Sequence, residues 1–219
     1  AMGGVYDQIG GGFHRYSTDM YWLVPHFEKM LYDNALIAST LVEAWQVSGR
    51  DDFARVAREI LDYVLREMTD EAGGFYSATD ADSPAPGGHE EEGLYFTWTP
   101  GELDEALGKD EGEFARNYWG VTEGGNFEGR SILYVDRSAS AVDRERLDAV
   151  RARLYELRAD RQPPGLEDKV LTAWNGLMIS ALAKAGRTLG GPRYVDAAVR
   201  AGEFLVSQLR YGNRLRRSW

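Results

Sequence analysis

Two of the chain's three histidines stand within one stretch, Gly10 to Asp33, in the company of Arg15, Tyr16, Trp22, Glu28 and Lys29. A histidine beside a carboxylate and an ammonium is equipment for general acid–base chemistry, because its ring changes charge near neutrality. Read as one helix from Pro25, the segment places His26, Lys29 and Asp33 at i, i+3 and i+7, a single narrow stripe. The same spacing fits a histidine at a helix N-terminus followed by a structural Lys29–Asp33 pair, and both readings stand. His14, beside Arg15 and a glycine turn, is read as ligand-facing, since a buried cationic pair needs a reason. His14, His26 and Asp33 are thus catalytic candidates. Arg15, Tyr16, Trp22 and Lys29 are candidates for ligand contact. Gly10–Gly12 let the backbone turn tightly, but no G-x-G-x-x-G opens a helix after a strand, so a dinucleotide fingerprint is excluded.

Two further clusters carry chemistry. Asp80 and Asp82 precede a Pro/Gly-rich tip and Glu92 follows it. Such carboxylates serve glycoside hydrolysis, with Asp80 the catalytic candidate, or hold a hard cation, or form a solvated acidic loop with His89 exposed in it. The run from Asp168 to Gly176 contains Lys169, Trp174 and Asn175. In a cavity-lining helix, a Trp-Asn pair is a stacking platform with a reader of hydroxyls; in a packed helix, it is a core Trp with a satisfied amide. Trp98, in Tyr95-Phe96-Thr97-Trp98, is the remaining aromatic candidate. There are no cysteines and no H-E-x-x-H, so thiolate catalysis, disulfides and zinc find no support; we expect no metal and no cofactor.

A formal charge of −10 argues against nucleic acid as a partner, and no apolar run reaches the roughly 20 residues that span a bilayer. Aromatics in polar company suit a small-molecule ligand such as a sugar as well as they suit a core. The absence of cysteine fits a reducing, cytoplasmic compartment.

These residues need elements to position them. Pro25–Val47 reads as a helix apolar round much of its surface, followed by a one-sided helix over Phe53–Met68. Lys169–Leu189 and Tyr194–Leu209 repeat the pair, with Asn34-Ala35-Leu36 laid over Asn175-Gly176-Leu177. Gly74–Ser77 and Gly93–Trp98 read as a β-hairpin around the Pro84–Gly88 tip. Helices are expected near Pro100–Leu107, Glu111–Tyr118 and Asp143–Ala159. Buried helices lining a hollow, each sheathed by an exposed one, make an all-α, (α/α) barrel architecture. About seven helices are legible, too few to close a ring of six hairpins. The whole chain is then one incomplete barrel domain, and a missing barrel half or a second copy is expected on the exposed inner helices.

Gly3–Asp19, Trp22–Ala35 and Asp168–Met178 together resemble the signature blocks of one family. Its members join an N-terminal thioredoxin-like domain to a six-hairpin, glycosidase-like barrel. The resemblance implies a partial (α/α)6 toroid with a β-hairpin insertion, distantly similar to N-acylglucosamine 2-epimerases and unsaturated-uronyl hydrolases. It also implies that the thioredoxin-like domain and the closing hairpins lie outside these residues. Two functions follow as expectations: a carbohydrate-active enzyme of epimerase/isomerase or glycoside-hydrolase type, or a non-catalytic binding module attached to a redox domain.

Overall fold

Pro25 opens an extended segment instead of a helix. In the computed structural model, which describes residues 1–136 and 142–219, burial alternates residue by residue from Pro25 to Leu31. That period of two belongs to a strand. Pro25–His26 and Lys29–Met30 are short strands, and the helix starts at Leu31. The expected stripe of His26, Lys29 and Asp33 therefore does not exist, because odd and even residues of an extended chain face opposite ways.

Seven α-helices lie among the described residues: α1 Leu31–Ser48, α2 Asp51–Glu67, α3 Pro100–Leu107, α4 Lys109–Trp119, α5 Arg144–Arg158, α6 Thr172–Thr188 and α7 Pro192–Phe204. They sort into two units, each assembled from three stretches of chain. Unit 1 holds residues 1–10, 14–28 and 80–165; unit 2 holds residues 11–13, 29–79 and 166–219.

Unit 2 is a sector of an (α/α) toroid. Gly49 closes α1 with φ at 66°, donating its N–H to the Trp45 carbonyl at 2.8 Å, and α2 returns along α1. Gly190 and Gly191 turn α6 into α7 in the same way, both with positive φ that a glycine adopts without strain. The inner helices α1 and α6 run parallel. Tyr32 meets the Trp174 ring at 4.7 Å near both N-termini, and Lys184, near the other end, donates to Ser39 Oγ at 2.6 Å and pairs with Glu43. The outer helix α2 buries Ala57, Ile60, Leu61 and Val64, while its charged side chains lie on the other face. A short three-stranded sheet, Lys29–Met30, Ala78–Thr79 and Leu166–Glu167, runs antiparallel ahead of the two inner helices. Val170 and Leu171 pair with Trp219 and Ser218, which is why α6 starts at Thr172 and not at Lys169.

The repeat is geometric as well as sequential. Asn34 is fully buried, accepts from the Phe13 N–H at 2.8 Å, and donates to the carbonyls of Phe13 and Met30 at 3.0 Å. Asn175, 141 positions later, is equally buried. It accepts from the Phe75 N–H at 2.8 Å and donates to the carbonyls of Phe75 at 2.9 Å and Leu171 at 3.1 Å. Each Phe follows two glycines. A Cβ on Gly12 would lie 2.6 Å from Tyr63, and one on Gly74 would lie 2.8 Å from Phe204, again 141 positions apart. A glycine strap fastened by the amide of an inner-helix Asn is the recurring joint of this fold.

Unit 1 is built on α3, α4 and α5 around Trp98, Leu103, Trp119, Leu147 and Leu154. Thr99 and Glu102 form a reciprocal capping box at the start of α3. The hairpin lies closer to the tip than expected: Asp82–Pro84 pairs with Glu90–Glu92. The flanking segments go elsewhere, with Trp98 bridged to Ser131 and Phe75 bridged to Thr69 within unit 2. The stretch 80–165 is tied at its base, where the Asp80 N–H donates to the Gly165 carbonyl at 2.7 Å.

Candidate functional site

In unit 1, the strand Tyr16–Ser17 lies antiparallel to Pro25–His26, with Tyr16 opposite His26. Extended backbone puts His26 and Glu28 on one face and Phe27 on the other, which is buried. Glu28 Oε2 stands 3.5 Å from His26 Nδ1 and accepts from Arg15 Nη1 at 3.0 Å. The Tyr16 ring faces the imidazole at 5.1 Å and a 31° tilt. His26 is 30% exposed although its Nδ1 is covered, so solvent reaches the remainder of the ring. The carboxylate lies within ion-pair distance of Nδ1 without a hydrogen bond to it, and the solvent-exposed part of the ring is left for chemistry.

Between the two strands, the chain makes a loop organised by Asp19. Its carboxylate accepts from the backbone N–H groups of Leu23 at 3.1 Å, Tyr21 and Val24. Trp22 takes φ of 63°, a region that non-glycine residues seldom occupy, and the Asp19 bonds hold it there. Met20, Tyr21 and Trp22 are 81%, 77% and 63% exposed, an apolar and aromatic display beside His26 in the chain. Partial burial works to raise the Asp19 pKa, but the hydrogen bonds from Val24, Tyr21, Leu23 and Ser17 outweigh it and hold the group below its ordinary 3.8. A depressed carboxyl contributes stability above its unfolded value and loses it as pH falls through the folded one. We therefore expect an acid transition in Trp22 fluorescence below pH 3.8 that disappears in Asp19→Asn. An unchanged titration in that variant would show that Asp19 does not organise the loop.

The other residues singled out from the sequence are distributed differently. His14 is buried at 4% exposure, its Nδ1 2.8 Å from the Phe27 carbonyl and its ring edge-on to Phe27 and Phe96. A carbonyl only accepts, so Nδ1 carries the hydrogen, and this histidine belongs to the interior and not to a ligand-facing turn. Trp98 is also interior, with Arg161 stacked 3.8 Å from its ring centre. Burial pulls Arg161 down to about 10, against the opposing pull of Glu102. Asp80 is exposed, and its carboxylate accepts from its neighbour Ala81; Asp82 and Glu92 sit opposite each other in the hairpin. Among the described residues, no group of three His, Asp or Glu side chains is arranged to hold a metal ion.

In unit 2, Lys29 is buried, with Nζ 2.8 Å from the Gly11 carbonyl and 4.2 Å from the Tyr63 ring centre. Asn175 is the strap lock, and Lys169 is an exposed partner of Glu167. Trp174 stays half-exposed against Tyr32, next to the half-exposed Asp33. Arg15, Tyr16, Trp22 and His26 are therefore the candidates gathered in one part of unit 1. Glu28 and Asp19, which complete that part, had no assigned role in the sequence. The signal was parity: after Pro25, every second residue shares a face.

No family model matches the chain. It is 41% identical to spermatogenesis-associated protein 20 of Homo sapiens across 94% of its own length and 30% of the relative's. The Mus musculus protein of the same name is 39% identical with the same coverage. The chain thus spans about a third of the length of the curated relatives it matches. Among solved structures, a D-mannose isomerase superposes with a TM-score of 0.32 at 13% identity, covering 95% of this chain and 49% of that one. A cellobiose 2-epimerase from Spirochaeta thermophila DSM 6192 gives 0.32 at 15% identity, covering 98% and 68%. No described helix is long and apolar enough to cross a membrane.

Proposed function

The chain belongs to the family of spermatogenesis-associated protein 20, and from that premise we propose that its Arg15–Glu28–His26 cluster moves a proton at a carbon beside the carbonyl of a sugar or sugar derivative. The observation that carries this reading is the half-exposed imidazole with its covered Nδ1 turned toward Glu28, which is itself held by Arg15. In the proposed step, the imidazole takes the proton from the carbon, the C–H electron pair becomes the C=C bond, the carbonyl π pair moves to its oxygen, and an enediolate forms. Return of the proton to the opposite face gives the epimer; return to the neighbouring carbon, with the hydroxyl proton passing to the former carbonyl oxygen, gives the isomer. Tyr16, Tyr21 and Trp22 supply flat apolar faces that suit the C–H face of a pyranose.

The test is proton NMR in D2O with a panel of reducing mono- and disaccharides, run on this chain and on a full-length relative. His26→Gln is expected to slow exchange at the carbon next to the carbonyl by at least ~100-fold, with ligand-induced change in Trp fluorescence retained. Exchange that continues unchanged in His26→Gln would remove the histidine from the reaction. The exposed Met20-Tyr21-Trp22 loop also favours a second reading, a binding module that turns nothing over. Fluorescence response without exchange in the unsubstituted protein would select it.

A further inference from the structure

After α7 in the chain, Arg210–Tyr211 and Arg214–Leu215 form a two-stranded hairpin. From Arg210 to Trp219 the charged residues are Arg210, Arg214, Arg216 and Arg217, all of one sign, and every residue of the stretch is exposed. The chain as a whole carries −10, with 35 Asp and Glu against 25 Lys and Arg. That excess takes up arginines elsewhere: Arg50, Arg55, Arg116, Arg130, Arg146 and Arg193 each lie against a carboxylate. Among the described residues, none of the four arginines of the hairpin stretch has a carboxylate at ion-pair distance. Like charges so close repel one another, and a carboxylate-rich chain leaves these four without a counter-charge.

The hairpin sorts them by face. Tyr211 stands opposite Arg214, and Arg216 follows two residues on, so the three side chains share one face. The Arg216 guanidinium accordingly lies 6.0 Å from the Tyr211 ring centre. Beneath them the backbone is fixed. The Arg216 N–H donates to the Leu209 carbonyl at 2.8 Å, and Thr172 donates to the carbonyls of Arg216 at 2.6 Å and Arg217 at 3.0 Å. Arginines at i and i+2 of a strand recur at roughly 6.4–6.8 Å, and carboxylates on alternate residues of an extended peptide recur at the same interval. A long phosphate polymer would run on past the hairpin and meet the acidic remainder of the chain. A short acidic segment senses only the charges within about 8 Å of it.

We propose that the Tyr211–Arg214–Arg216 face docks an extended, carboxylate-rich segment of a partner protein. Acidic side chains on alternate residues of that segment pair with Arg214 and Arg216, and Tyr211, 75% exposed, supplies the apolar contact beside them.

The test is fluorescence anisotropy with a fluorescein-labelled peptide of alternating glutamate and threonine, at about 0.15 M salt. The chain is expected to bind it, and the double variant Arg214→Gln with Arg216→Gln to bind it about 10-fold more weakly. Both side chains are exposed, so near-ultraviolet circular dichroism of the variant is expected to be unchanged. A peptide of the same composition with its glutamates in one block is expected to bind several-fold more weakly, being out of step with the strand. No anisotropy change, equal affinity in the double variant, or equal affinity for the block peptide would each overturn the proposal. Tighter binding of a single-stranded oligonucleotide of equal charge would assign the face to phosphates instead. Sedimentation showing that the chain self-associates, and that the double variant does not, would make a second copy the occupant and overturn it as well.

Discussion

Replacing Asp7 with Asn is expected to cost the protein about 3–5 kcal/mol of stability, the usual consequence of stripping one partner from a buried ion pair. Asp7 and Arg158 are joined at 2.9 Å with side chains 3% and 1% exposed. The same Asp7 oxygen accepts from the N–H groups of Ile9 and Gly10 at 3.0 Å, so three donors converge on it. The guanidinium is enclosed by the rings of Tyr95, Phe96 and Tyr155. Gly10 is required beside it, since a Cβ there would lie 2.1 Å from Arg158 Nη2. An amide keeps the shape of the carboxylate and removes the charge that makes Arg158 tolerable in that setting. Urea unfolding followed by near-ultraviolet circular dichroism measures the loss. The double variant Asp7→Leu with Arg158→Met is expected to lose less than the single one, because it buries no uncompensated charge. A single substitution costing under about 1 kcal/mol would mean that the pair is solvated in solution.

Asn175→Ala is the second large effect, expected at roughly 3–5 kcal/mol because it orphans both backbone groups of Phe75 at about 1–3 kcal/mol each. Phe75 and Asn175 are both completely buried, so water cannot take over these bonds without opening the joint. Asn34→Ala removes the twin lock on Phe13 and is expected to cost a similar amount. Asn175→Asp keeps an acceptor for the Phe75 N–H but loses the donor and buries a charge, so it is no rescue. Amide exchange at Phe75 and Phe13 reports each lock separately. Unaltered protection at Phe75 in Asn175→Ala would show that the strap is held by packing alone.

How far these features were legible follows from the range of the interactions. The two helical hairpins and the two outer amphipathic faces were readable because their apolar periodicity is local. The beginning of α1 was not. Lys29 occupies an interior place in the strand, and a charged residue there conceals the two-residue alternation that Phe27 and Leu31 otherwise display. Asn34 and Asn175 could be aligned, yet their purpose could not be read, because Asn175 meets Phe75 across 100 positions. The same reasoning applies to His14 and Trp98, whose polar-aromatic company looked like a ligand cleft and is core packing between distant segments. His26 remained accessible because it lies on the outward parity of a strand with Glu28. That relation is local, but it is visible only once the segment is known to be extended.

The closure of the stretch 80–165 by the bond between Asp80 and Gly165 has a kinetic side. During synthesis, α1 and α2 emerge long before α6, and α1 has to wait for the neighbour beside which it runs. Joining ends separated by such a length of slack chain costs on the order of 4 kcal/mol in entropy. Once the base of that stretch is pinned, the slack is gone and α6 is delivered close to its place. The order of events this favours is the inserted segment first and the parallel helix pair last, with the late step setting the refolding rate.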